Sequence, residues 1–238
     1  MSRAHRKRVW LILTVVSGLA VVIFLGLVLW PRISGLKSDG AVDFKTLQAR
    51  NPEIYAWLRF PEAGIDQPVL QRQGASNDEE DEYYLTRDVD GNSSEMGCAF
   101  TQYRYNSTDF SDPVTVIYGH CMDDGTMFGS IETWARTARL GGDTVFTVYL
   151  PGRELTYQIF AGIPYDDSHV MYYHDFTNEA VYDRFFREVF ATRNFSAILD
   201  PAHKPEYGDR VVILATCRQG DESARYLTMG VLVEDAEI

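Results

Sequence analysis

Apolar and polar positions alternate with different periods in different parts of the chain. Positions 9–30, "VWLILTVVSGLAVVIFLGLVLW", run for 22 residues without a charge. In "VDFKTLQARNPEIYAWLRF", Phe44, Leu47, Ile54, Tyr55 and Leu58 recur at near-helical spacing. That spacing predicts a helix interrupted at Asn51-Pro52, with the proline opening a second short helix. From Ile65 the period shortens. "IDQPVLQ", "GCAFTQY", "PVTVIYGH", "DTVFTVYL", "ELTYQIFAGI", "RVVILATC" and "ARYLTMGVLV" are rich in β-branched and aromatic residues and bounded by Gly, Pro, Asn or Asp, the signature of strands. "YLPGRELTY" reads as a hairpin on a Pro-Gly turn. Seven or eight such strands predict a mainly β fold, a closed or nearly closed barrel or a sandwich. One segment breaks the rhythm: "NEAVYDRFFREVFATR" aligns Val181, Phe185, Val189 and Phe190 on a helical face. A helix hung on the long connection before Val211 walls a groove or covers an open barrel end, and the two roles are compatible.

The first apolar run changes the picture most. At about 1.5 Å rise per residue it crosses a hydrocarbon core of about 30 Å, with Trp10 and Trp30 at its ends where indoles favour the interface. A cleaved signal peptide has a shorter apolar region and a small-x-small site, and the following "PRISGLKSDG" offers none. Arg3, Arg6, Lys7 and Arg8 precede the run, whereas only Arg32 and Lys37 follow closely. The expected organisation is therefore a cytoplasmic basic tail (1–8), a single-pass plasma-membrane anchor (9–30), a linker (31–41) and an extracellular domain (42–238).

The formal net charge is −12, and the first thirty residues hold four Lys/Arg and no acid, leaving 18 against 34, or −16, beyond them. Nucleic-acid binding needs a basic footprint, and the chain has none. The acidic run "NDEEDEYY" reads as a solvated loop; it lacks the alternating ligands and Gly turn of a calcium loop. There are three cysteines, Cys98, Cys121 and Cys217. An odd number outside the membrane leaves at least one free thiol and excludes a disulfide scaffold.

Acyl transfer by a thiol needs a nucleophile, a proton carrier and positive charge or N–H donors where an oxyanion forms. Cys217, at the end of "RVVILATC", is a candidate nucleophile, set against the ordinary fate of a lone cysteine as an inert core residue. His120 ends "PVTVIYGH", while His5 lies in the tail and His169, His174 and His203 fall in polar loops read as solvated. Arg225 opens the strand after Cys217. Two antiparallel strands joined by a seven-residue connection bring the thiol and the guanidinium together at one rim, where the planar fork suits a carbonyl. The bland reading of Arg225 is a rim arginine paired with Asp221 or Glu222. Arg218 points to the opposite face from Cys217, although its backbone N–H is a candidate oxyanion donor.

The segments "VIYGHCMDDGTMFGSI", "ILATC" and "ARYLTMGVLV" resemble the His, Cys and Arg motifs of the sortases, membrane-anchored cysteine transpeptidases of Gram-positive bacteria. "NPEIYAWLRFPEAGIDQPVLQ", "DEYYLTRDVDGNSSEMGCAFTQYRYN" and the inserted helix resemble class B members, and the resemblance spans about residues 42–236. It implies an eight-stranded sortase-type β-barrel with N-terminal helices and a helix in the long late loop. It implies that Cys217 attacks the Thr carbonyl of a C-terminal sorting signal on a surface protein, that His120 moves protons and that Arg225 steadies substrate and oxyanion. An amine of a peptidoglycan cross-bridge or a pilin lysine then resolves the thioacyl-enzyme. Leu85, Tyr172 and Thr216 are implied to bind substrate, and no metal or cofactor is implied. Departures exist: the usual T-L-x-T-C reads "VILATC", Cys121 follows His120, Cys98 stands where relatives often carry Ser, and Gln219 stands where some relatives carry Asp. For Cys98 and Cys121 a disulfide and two unpaired thiols are both open.

The rival functions differ in testable ways. L,D-transpeptidase-like enzymes cross-link peptidoglycan stems but use a short His–Cys spacing, whereas 97 positions separate His120 from Cys217. Papain-like proteases put Cys before His. A non-catalytic, membrane-tethered adhesion or assembly module would carry Cys217 as a buried, unreactive thiol.

Overall fold

The computed structural model describes residues 41–141, 144–218 and 220–238, with Glu222 described in its backbone alone. The expected tail and anchor and all but the last residue of the linker lie outside them, and no helix among the described residues is long and apolar enough to cross a membrane. Leu47–Ile238 cluster as one compact unit, which holds the whole sheet.

Nine strands form that sheet: β1 (Ile54–Phe60), β2 (Ile65–Leu70), β3 (Ala99–Phe100), β4 (Val114–Tyr118), β5 (Val145–Leu150), β6 (Arg153–Tyr165), β7 (Ile198–Leu199), β8 (Val211–Arg218) and β9 (Asp221–Glu237). Eight of them close a ring in the order β5-β1-β2-β3-β4-β8-β9-β6, with β6 returning to β5, and β7 adds to the upper half of β6. The expected eight-stranded barrel is present. Pairs β2–β3 and β4–β8 are parallel and the rest antiparallel. The Pro151-Gly152 turn joins β5 to β6 with Gly152 at φ +75°, a left-handed position that glycine adopts without strain.

The amino-terminal helical reading needs correction. Only α1 (Phe44–Arg50) is helical, and "IYAWLRF" is strand β1, not a second helix. Trp57 and Leu58 alternate faces between β2 and β5, and six of the seven residues are buried. Tertiary pairing on both edges overrides a helical period that was carried by residues buried on both faces. The acidic run is not a plain loop either. It forms α2 (Asp78–Asp81), capped by the Asn77 side chain accepting from the Glu80 N–H, and a 3₁₀ turn at Tyr83–Leu85. Asp81 is buried and accepts from the Arg104 guanidinium at 2.5 Å, and Asp78 shares that guanidinium. The paired guanidinium offsets the cost of burying that carboxylate.

Two cores share the sheet. Leu58, Phe60, Phe146, Val148, Leu155, Tyr157, Val212, Leu214 and Tyr226 fill the barrel, which α3 (Ser130–Ala135) closes with Ile131 and Ala135. On the outer face, Val114, Val116, Val211, Ile213, Ala215, Leu227 and Met229 pack under α5 (Glu179–Ala191). That helix buries Tyr182, Phe185, Phe186 and Val189, a face rotated slightly from the expected one, since Val181 and Phe190 are half-buried. Strand β8 therefore reads as a continuous apolar run because both of its faces are covered.

Candidate active site

Strand parity decides where the chemistry lies. Cys217 continues the outward series Val211, Ile213, Ala215, and His120 continues Val114, Val116, Tyr118. Arg225 precedes Leu227 and Met229 in the same alternation. All three side chains thus face the insertion that carries α4 (Val170–Tyr173) and α5, not the barrel interior. A cavity of about 210 Å³ opens there, lined by His120, Cys217 and Arg225 together with Leu85, Thr216, Glu82, Gln102, Tyr118 and His169 among others.

Cys217 and Arg225 are direct register partners across β8 and β9, and pairing continues through a bulge to Arg218↔Asp221. The connection is thus shorter than the seven residues expected from the apolar runs. Directly opposed antiparallel residues carry their side chains on one face with Cβ atoms about 4.5–5.5 Å apart. Parallel pairing of β4 with β8 runs to Tyr118↔Ala215, and the Gly119 N–H donates to the Ala215 carbonyl at 3.1 Å. His120 therefore emerges beside the end of β8. A Cβ at Gly119 would lie 2.8 Å from the buried Phe128 ring, so this position needs glycine for the Phe128 ring to pack on it. The loop after His120 closes on itself through Phe128 N–H to His120 carbonyl (2.9 Å) and the Cys121↔Met127 bridge.

The His120 imidazole is held by Leu85, whose carbonyl accepts from Nε2 at 2.7 Å. In the neutral ring that bond leaves Nδ1 as the basic nitrogen. Leu85 itself is fixed by Gly97 at φ +59°, where a Cβ would sit 2.4 Å from the Leu85 carbonyl oxygen. Glu82, at the exposed rim, has its carboxyl pKa raised by partial desolvation and by Asp78 and Asp81, with Arg225 opposing.

Thr216 borders the cavity and is buried, but its parity is that of Val212 and Leu214, which turns its side chain to the barrel side, where Oγ1 has no hydrogen-bond partner among the described residues. Tyr172 is different: it is 68% exposed and is not among the lining residues, although its N–H donates to His169 Nδ1 at 3.0 Å. His169, expected to be solvated, instead lines the cavity among Tyr105, Tyr118 and Tyr172. With Nδ1 accepting, its buried Nε2 is a donor; it is unpartnered among the described residues, as are the acceptor Gln102 Oε1 and the Tyr118 hydroxyl, which can do either. Burial lowers the His169 pKa and keeps the ring neutral. The cavity thus offers polar groups of both kinds beside the thiol. Strand period alone could have flagged Tyr118, two residues before His120; Gln102 and His169 come from loops that only the tertiary fold brings near.

All three cysteines are free thiols, which resolves the open question for Cys98 and Cys121. Cys98 is buried, donates to the Arg87 carbonyl, and is pushed up to about 12 by desolvation. Burial also raises the Cys121 thiol, with Cys217 and Glu132 as electrostatic neighbours.

No protein-family model matches the chain. Sortase B of Listeria monocytogenes is 26% identical over 195 residues, covering 80% of this chain and 74% of that protein. Sortase B of Staphylococcus aureus is 24% identical over 174 residues, covering 73% and 67%. The crystal structure of Clostridium perfringens sortase B superposes with a TM-score of 0.65 at 23% identity, over 80% of this chain and all of that one. The resemblance carried by the three motifs thus extends over most of the chain, which is similar to the class B sortases in sequence and in fold.

Proposed function

We propose that the chain is a sortase-type cysteine transpeptidase, tethered by residues 9–30 and working outside the cell. The convergence of Cys217, His120 and Arg225 on one cavity is the observation that carries this reading. In the forward half-reaction the Cys217 thiol gives its proton to His120 and the sulfur attacks the Thr carbonyl carbon of a sorting signal. The carbonyl electrons move to oxygen, where the Arg225 fork offsets the charge. The C–N bond then breaks, and His120 delivers a proton to the leaving amine. In the second half-reaction His120 takes a proton from an acceptor amine, which attacks the thioester; the C–S bond breaks and His120 returns that proton to the sulfur, restoring the thiol. The acceptor is a peptidoglycan cross-bridge amine or a pilin lysine. Leu85 and Thr216, both lining the cavity, contact the sorting peptide, and Tyr172 meets it at the exposed rim beside His169.

The test is Cys217→Ala. Cleavage of sorting peptides should vanish while the thermal transition stays nearly unchanged, because the half-exposed thiol contributes little packing. Turnover at the wild-type rate in that variant would overturn the reading.

A further inference from the structure

Arg218 follows Cys217 but takes the opposite parity, that of Val212 and Leu214, and so reaches the barrel mouth. Its Nη2 donates to Glu132 Oε1 at 2.7 Å. Glu132 sits on α3, the helix that begins where the His120 loop ends, and its side chain is only 6% exposed. Arg136, one turn on, approaches the same oxygen only to 3.8 Å and is 59% exposed. Glu132 Oε2 and Arg218 Nε are buried and make no hydrogen bond among the described residues. A buried carboxylate with a single close cationic partner is costly to leave unpaired, so the two elements are held together. One of them carries Cys217 at its end and the other continues from the loop of His120. Cys121, between them, has both Glu132 and Cys217 as electrostatic neighbours.

We infer that Glu132 is a positioning residue: through Arg218 it clamps the end of β8 to the His120 loop and sets the thiol against the imidazole. This rests on the transpeptidase reading for its kinetic consequence but not for its chemical one. Neither side chain lines the cavity, so the effect reaches the substrate only through alignment.

The experiment compares wild type with Glu132→Gln and Arg218→Lys on two substrates sharing one acyl peptide, an amide and a thioester. Cleavage of the amide needs a proton from His120, and departure of a thiolate does not. Glu132→Gln should lose roughly ten- to a hundredfold in amide turnover, the scale of a misalignment near 1 Å. The thioester is read as single-turnover acylation, before any acceptor acts and at a pH where Cys217 alkylation has reached its plateau. There its rate should stay within about twofold of wild type, since a departing thiolate needs no general acid, and Arg218→Lys should lose less on the amide than Glu132→Gln. A merely structural role lowers both substrates alike, and that result, or no loss, overturns the inference. A second readout needs no peptide: the pH profile of Cys217 alkylation by iodoacetamide, with Cys98 and Cys121 changed to Ser. The Glu132→Gln profile should move toward that of His120→Ala, and an unmoved profile also overturns it. Wild type that processes no peptide while the profile shifts as expected defeats the transpeptidase reading and leaves the clamp standing.

Discussion

Cys217 and Arg225 occupy directly opposed positions on β8 and β9, one register step before the bulge that takes Arg218 to Asp221. The bulge is the consequential detail. It ends regular pairing just past the thiol, so the strand end is held by side chains as well as by the ladder. A guanidinium fixed by register opposite a nucleophile needs no search to meet the charge that develops on attack.

That relationship makes Arg225 sensitive to shape as well as charge. Lysine keeps the charge but loses the planar fork. Arg225→Lys should lower kcat/KM for sorting peptides by roughly 100-fold, the scale for removing an oxyanion donor, with an unchanged melting temperature. Steady-state kinetics on the purified domain check it.

Gly97 should control His120 from a distance. A Cβ there lies 2.4 Å from the Leu85 carbonyl oxygen that accepts from His120 Nε2. Gly97→Ala should displace that carbonyl and cut turnover by more than tenfold, a loss consistent with a displaced catalytic group. Gly74→Ala is the control, since it has a similar φ of +75° and nothing within 4 Å of the new Cβ. It should cost about 1 kcal/mol of stability from left-handed strain and leave activity intact.

Much of the site is legible in the sequence, for identifiable reasons. The strands that build the site, β4, β8 and β9, are apolar β-branched runs, so the sequence places His120 and Cys217 at strand ends and Arg225 at the same rim, although β9 begins four residues before Arg225, at Asp221. The N-terminal strand is not legible, because β1 is buried on both faces and its apolar spacing mimics a helix. Asp81 and His169 sit in segments with a solvated pattern, yet both are drawn into the fold by Arg104 and by the insertion, which no local pattern encodes.

His169 carries a pH signature. Its folded pKa lies below the ordinary value because burial disfavours the charged ring. The stability it contributes is complete above the unfolded value of about 6.5 and is lost as pH falls through the folded pKa. The melting-temperature gap between wild type and His169→Gln should be largest above pH 7 and should narrow toward pH 5. A gap that widens on acidification would mean the ring is charged in the fold.

The three thiols should separate by reactivity. Cys98, pushed up to about 12 and buried, should resist alkylation in the folded state, and Cys121, also raised, should react slowly. Peptide mapping after brief treatment with iodoacetamide should find the label on Cys217, and preferential labelling of Cys98 would contradict the assigned roles.

The most direct measurement is intact-protein mass spectrometry of the soluble domain after incubation with a library of sorting-signal peptides and no amine acceptor. The expected result is a mass increase equal to the acyl portion ending in Thr, mapped to Cys217, discharged by an added amine and absent from Cys217→Ala. An acyl adduct on Cys98 or Cys121, or no adduct with any peptide while Cys217 remains alkylatable, would contradict it.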